Sequence, residues 1–263
     1  MHRSGTSVIT RGLKSLGLYL GDSLLGPQPD NPKGYWEQWR ILEVNEAVMA
    51  AIDRPWSSPR PIPPETWEGH GLDELKDRAA SVLVDLFRGR PLWGFKDPRT
   101  IRLFPFWSDV LGRLGPSVSI VLAIRPPQSA IESLIARDAI SDADAEELWL
   151  EYMLPSLPAI AEYPALIVDY DRLVRSPIRE LRRMAKHLEV EVDPADPEIT
   201  EFTRTFVDRD LRHHLQPAGA ETLADETYRA LLSLTRTGAS WRRCLQLARR
   251  YQAERPYAAA ASG

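Results

Sequence analysis

The sequence predicts an α/β protein, with a parallel sheet flanked by helices and a mostly helical C-terminal part. Three observations carry this prediction. Ser117 to Ile124 (SVSIVLAI) is nearly continuous in apolar residues, as expected for a central parallel strand covered on both faces. Ala165 to Val168 is a second buried run, ending in Asp169-Tyr170-Asp171. Around these runs lie segments with apolar residues at helical spacing, and helices alternating with short strands imply a parallel sheet. A chain of 263 residues is long enough for one such domain, 1–263.

In chain order, Ser7 to Leu20 places Val8, Ile9, Leu13, Leu16 and Leu20 at helical spacing. Pro27 to Gly34 reads as a loop. Trp36 to Ile52 predicts a helix with Trp39, Leu42, Val48, Met49 and Ile52 on about one face. Pro55 to Pro64 holds five prolines and predicts a surface loop. Leu72 to Phe87 predicts a helix, and Leu92 to Phe95 a short strand followed by Lys96-Asp97-Pro98-Arg99. After Pro126 and Pro127 a helix runs to Arg137. From Ile178 onward the pattern is mostly helical, up to an alanine-rich tail. Ligands of open parallel sheets bind at the carboxyl ends of strands. That rule gathers the stretches after Phe95, Ile124 and Val168 on one rim.

The net charge of −4 gives no bulk attraction to nucleic acid or an anionic membrane. No apolar run approaches the roughly 20 residues of a membrane helix. The single cysteine, Cys244, excludes an intrachain disulfide and fits a reducing compartment, so a cytoplasmic protein is expected. The histidines show no metal-ligand spacing, and no metal is expected.

Two motifs carry chemistry. His2-Arg3-Ser4-Gly5-Thr6-Ser7 leads directly into the first helix. Gly5 permits close backbone approach, Thr6 and Ser7 offer hydroxyls, and the free N–H groups of a helix start favour an anion. The Walker A pattern asks for Gly-Lys-Ser/Thr. Here Thr6 follows Gly5, so that lysine is missing and Arg3 is the available cation. The competing reading is a Ser or Thr that caps the helix. In the second motif Arg125 ends the best strand, Ser133 follows eight positions later and Arg137 four beyond that. Ser129, Ser133 and Arg137 share one helix face, where a guanidinium fork suits a phosphate. The competing reading is a solvated face.

Together these motifs resemble the sulfotransferases that use 3′-phosphoadenosine 5′-phosphosulfate (PAPS). In that family a loop of the form Arg-x-Gly-Thr-Ser/Thr grips the 5′-phosphosulfate, and an arginine with a serine eight residues on holds the 3′-phosphate. Arg3 to Ser7, Arg125 and Ser133 match. Arg137 and Lys96-Asp97-Pro98 match the tyrosylprotein branch. Asn31 to Glu37 and Trp93 to Arg99 look most like bacterial members with sugar-containing or uncharacterised acceptors. The resemblance spans residues 2 to about 175. It implies a P-loop-NTPase-like sheet, PAPS as co-substrate without a metal, and transfer to a hydroxyl of a saccharide, glycolipid or other small metabolite.

For that chemistry Glu37 is the expected general base, with Glu43, Glu46 and His70 as runners-up. Arg3 and Lys96 are expected to stabilise the leaving group. Lys96 paired with Asp97 is the bland alternative. Arg99 is expected to hold the acceptor or the lid, and Trp36 with Trp39 to form a platform for a sugar ring. Arg212-His213-His214 reads either as a stretch that closes over the nucleotide or as a charged helix end. A nucleotide kinase-like phosphotransferase and a non-catalytic nucleotide-binding relative are the rival functions. Finally, a phosphate loop normally follows a buried strand, and only Met1 and His2 precede Arg3. The first strand is thus expected to be missing, through an upstream start or truncation, with residues 1–4 loosely constrained and Arg3 imperfectly placed.

Overall fold

The structure is a computed structural model that describes residues 1–29, 31–207, 222–236 and 238–255. Its helices are α1 (Thr6–Ser15), α2 (Trp39–Ala51), α3 (Glu65–Glu68), α4 (Asp73–Phe87) and α5 (Phe104–Leu114), then α6 (Pro127–Asp138), α7 (Asp142–Met153) and α8 (Leu157–Ile160). The strands β1 (Ile120–Ile124) and β2 (Ala165–Asp169) stand on either side of α6–α8. There follow α9 (Tyr170–Arg175), α10 (Pro177–His187), α11 (Pro197–Glu201), α12 (Leu223–Ser233) and α13 (Arg242–Glu254). The described residues of the C-terminal part are mostly helical, as expected. Arg212, His213 and His214 lie outside the described residues.

Strands β1 and β2 pair in parallel, from Ile120 opposite Ala165 to Ile124 opposite Asp169. Their side chains alternate between two cores. Leu122, Ile124 and Ile167 pack with Trp149, Tyr152 and Leu247. Ala123 and Val168 face Ile9, Leu13 and Leu181 on the other side. Both faces are covered, which is why both strands are apolar throughout rather than alternating. A third core joins α2, α4 and α5 through Ile41, Val48, Leu83 and Trp107. There the Trp107 indole N–H donates to the buried Asn45 Oδ1 at 2.8 Å.

Several boundaries differ from expectation. Helix α1 stops at Ser15, not Leu20. Gly17 has φ +88°, and the chain turns so that the Gly17 and Leu18 N–H groups bond the Lys14 and Leu13 carbonyls. This is a glycine-terminated helix end. Leu92 to Phe95 is no ladder strand: only Trp93 bridges, in parallel, to Tyr19. The physical reason is a cavity that separates this segment from β1, both of which line it. The sheet of the described residues therefore has two strands. On α2 the buried face is Ile41, Val44, Asn45, Val48 and Met49, whereas Trp39 is 42% exposed.

Residues 1–4 are better held than expected. Met1 and Ser4 are buried and Arg3 is hydrogen-bonded. Cys244 is buried within α13, and desolvation pushes its thiol up to about 11. Among the described residues no helix is long and apolar enough to cross a membrane, and no group of side chains is arranged to hold a metal ion.

Candidate functional site

The loop before α1 is shaped by Gly5. Its φ of +75° lies in the left-handed region, and a Cβ there would stand 2.2 Å from Tyr170 Cδ2. No residue but glycine fits against that ring. Gly5 is also the N-cap of α1, and no side chain caps the first turn. The capping alternative for Ser4 and Thr6 is thus not what the structure adopts. The N–H groups of the first turn keep the positive end of the helix dipole available.

The two motifs meet. Arg3 Nε donates to Ser133 Oγ at 2.7 Å, across 130 positions of sequence. Arg125 Nη1 donates to the Arg3 carbonyl at 3.4 Å, and its guanidinium lies 4.8 Å over the Tyr170 ring. Ser129 and Ser133 are buried, so this face of α6 turns to the loop and not to solvent. Arg125 Nε is buried without a partner among the described residues. Such a group costs free energy until something accepts from it. Arg137 follows a different course. It pairs with Asp138 at 2.8 Å and stacks 5.4 Å from the Trp56 ring, at the edge of the cluster rather than in it.

Lys96 joins the loop to the segment before α2. Its Nζ donates to Glu37 Oε1 at 2.6 Å, to the Tyr35 carbonyl at 2.7 Å and to Ser7 Oγ at 3.3 Å. Glu37 is 4% exposed, and its Oε2 has no partner among the described residues. It is therefore not an exposed helix-start glutamate. Burial raises the Glu37 pKa, against the opposing pull of Lys96, and burial lowers that of Lys96. Lys96 does not pair with Asp97. Asp97 Oδ1 instead accepts from the N–H and Nε of Arg99, which also reaches Glu46 at 3.1 Å.

The other candidates are dispersed. Glu43 faces Arg78 on α4. The His70 ring is fully exposed and bonded to Asp73. Trp36 packs edge-on to Phe206 with Arg11 above it, and Trp39 faces outward, so the two make no joint platform.

Sequence reasoning placed the stretch holding Tyr170 on the rim and His2 in the first motif but gave neither a role, and it missed Trp56. His2 stacks on Trp56 with ring centroids 4.6 Å apart, and its Nε2 is buried without a partner among the described residues. Burial, and then the Arg137 cation, hold its pKa well below the usual histidine range. Tyr152 donates to the Trp56 carbonyl, and Arg102 donates to the Ser58 and Arg60 carbonyls. These bonds pin the proline-rich loop beside the site. The available signals were the adjacency of His2 to Arg3 and the place of Tyr170 directly after β2.

Two cavities flank the cluster. One, of about 280 Å³, is lined by Glu46, Met49, Asp53, Arg54, Trp56 and Arg99. The other, of about 330 Å³, lies behind the loop and touches it through Thr6 and Lys96, but includes none of Arg3, Arg125 and Ser133. No protein-family model matches the chain, and no curated protein matches it.

Proposed function

We propose that the chain is a PAPS-dependent sulfotransferase, on a fold of the P-loop type. The observation that carries this reading is the joining of the two anion motifs by the Arg3–Ser133 hydrogen bond. Two arginines, two buried serines and an uncapped helix start converge at one strand end, which suits a ligand with separated phosphates. The unpartnered Arg125 Nε supports the same reading, because a phosphate oxygen would satisfy it. Arg125, Ser133 and Arg3 would hold the nucleotide, and the first turn of α1 with Thr6 and Ser7 the phosphosulfate.

In the reaction, the acceptor oxygen bonds to sulfur as the bond from sulfur to the phosphate oxygen breaks. The acceptor proton passes to a base, and the nucleotide leaves as a phosphate. Glu37 suits the base, since burial raises its pKa and one of its oxygens is unengaged within the described residues. Once Glu37 has taken the acceptor proton, Lys96 loses its anionic partner and, with Arg3, suits stabilisation of the leaving oxygen. The smaller cavity suits an acceptor of modest size, with the Trp56 face for a ring and Arg99, Glu46 and Asp53 for hydroxyls.

The test is incubation with sulfur-labelled PAPS and a panel of saccharides, glycolipids and phenols, with a chelator present. Label transferred to an acceptor is the expected result. Binding of the desulfated nucleotide without transfer to any acceptor would favour a non-catalytic relative, and ATP-dependent, metal-dependent transfer would favour a kinase. We expect Arg125→Ala to weaken binding of the desulfated nucleotide by about 10- to 100-fold, from the loss of charge-assisted hydrogen bonds. Calorimetry with unchanged affinity would remove Arg125 from the site.

A further inference from the structure

Just before Glu37, two N–H groups share one carbonyl. Tyr35 and Trp36 both donate to the Leu25 carbonyl at 3.3 Å, and the Leu25 N–H donates to the Glu37 carbonyl at 2.7 Å. Leu24 and Gln38 continue the same antiparallel pairing with a bridge. Two residues set against one make a β-bulge, which bends its strand and re-aims the side chains beside it. At this bulge Trp36 has φ +69°. A residue as bulky as tryptophan takes that left-handed conformation only where its surroundings enforce it.

The bend has a local product. The Tyr35 carbonyl before it and the Glu37 carboxylate after it both meet the Lys96 ammonium, at 2.7 and 2.6 Å. A regular extended chain sends its carbonyls sideways and its side chains out of the pleat. The left-handed residue between them lets both groups face one cation. The same carbonyl accepts from Ser7 Oγ at 3.1 Å, which ties the bulge to the first turn of α1.

The indole of Trp36 is held on three sides. Its Nε1 donates to the Lys33 carbonyl at 3.0 Å. Its ring meets Phe206 edge-on, with centroids 6.1 Å apart. The Arg11 guanidinium lies 5.8 Å from its centroid and is itself fixed by Glu198 and Glu201. Phe206 ends a π-helical turn, Phe202–Phe206, that follows α11, and Lys33 Nζ donates to its carbonyl.

We propose that Trp36 is a positioning residue. Held left-handed by Lys33, Phe206 and Arg11, it aims the Tyr35 carbonyl and the Glu37 carboxylate at Lys96. Its effect on turnover rests on the sulfotransferase reading, whereas its seating of Lys96 does not.

The experiment compares wild type with Trp36→Phe, Trp36→Ala and Trp36→Gly. Phenylalanine keeps a ring in the seat. Alanine loses the seat and retains the left-handed penalty, so the bulge relaxes. Glycine loses the seat but adopts the conformation without penalty. Lys96 is labelled with acetic anhydride and read by mass spectrometry. Lys76, buried on α4 and paired with Asp109 at 2.7 Å, reports opening of the whole molecule. Trp36→Ala is expected to label Lys96 about tenfold faster with Lys76 unchanged, Trp36→Gly to fall between, and Trp36→Phe to stay within about threefold of wild type. Unchanged labelling in Trp36→Ala, or Trp36→Gly labelling as fast as Trp36→Ala, would overturn the proposal and leave Trp36 a packing residue. If both lysines label in Trp36→Ala, Trp36→Gly decides: faster labelling of Lys96 alone supports the proposal, and of both lysines overturns it. In the PAPS assay Trp36→Ala should lower kcat by about 10²-fold at saturating acceptor, with affinity for the desulfated nucleotide unchanged. The expected labelling order without transfer to any acceptor would support the seat and overturn the sulfotransferase reading, so the two fail separately.

Discussion

Lys96 and Glu37 form a buried ion pair in which each partner is shifted against its charged form. Taking two charges out of water costs several kcal/mol, which their attraction repays only in part. Removing one partner should therefore cost more than removing both. We expect Lys96→Met to lose about 3 kcal/mol near pH 8, where Glu37 is left as a lone buried anion, and the Glu37→Gln/Lys96→Met double variant to recover most of it. The pH dependence of the single variant has a definite sign. Glu37 in the folded state keeps its proton to higher pH than the unfolded chain, so stability falls as pH rises from the unfolded value through the folded one. The Lys96→Met variant should accordingly gain stability relative to wild type as the pH is lowered from 8 to 5. Urea denaturation at the two pH values checks this. On turnover, Glu37→Gln should lower kcat by about 10²–10⁴ with nucleotide affinity little changed. Wild-type kcat at saturating acceptor would assign the base elsewhere.

At the scale of elements, the turn from the N-terminal loop into α1 is fixed by one contact, Gly5 against the Tyr170 ring at the start of α9. Gly5→Ala adds a left-handed backbone penalty of about 1 kcal/mol to a direct clash. We expect a fall in Tm of at least about 5 °C. In a Tyr170→Ala background the same change should cost less, because the clash vanishes and the backbone penalty remains. Equal costs in the two backgrounds would show that the ring does not set the loop. Local pattern made Gly5 legible as a loop residue, and it made β1, β2 and the start of α6 legible because their apolar runs and prolines act locally. The rim position of Tyr170 was legible but its contact with Gly5 was not, since that depends on β2 carrying the ring beneath a loop 165 positions earlier. The strand expected at Leu92 to Phe95 failed for a similar reason: apolar residues make a strand possible, but a ladder needs an adjacent partner.

At the scale of the molecule, the candidate site sits where the three cores meet. Arg3 and Ser133 belong to the side of α6, Lys96 and Glu37 to the side of α2, and Tyr170 to the side of α9. The two motifs were legible in the sequence because each is local, Arg3 to Ser7 at the entry to α1 and Arg125 to Ser133 across the junction of β1 and α6. The Lys96–Glu37 pairing, the seat of His2 on Trp56 and the outward turn of Trp39 were not, because each depends on packing between elements distant in sequence. That all three cores contribute implies that the site disappears when any one opens. Cys244 offers a way to watch this. It is the chain's only thiol, fully buried on α13 within the core that also holds Trp149 and Leu247. A thiol raised to about 11 carries almost no thiolate at neutral pH, so a maleimide should leave the folded chain unmodified and mark it only as α13 lifts away. The native protein thus contains a single-hit chemical clock for its own opening, and an extrinsic probe placed on a new surface cysteine would have no native competitor.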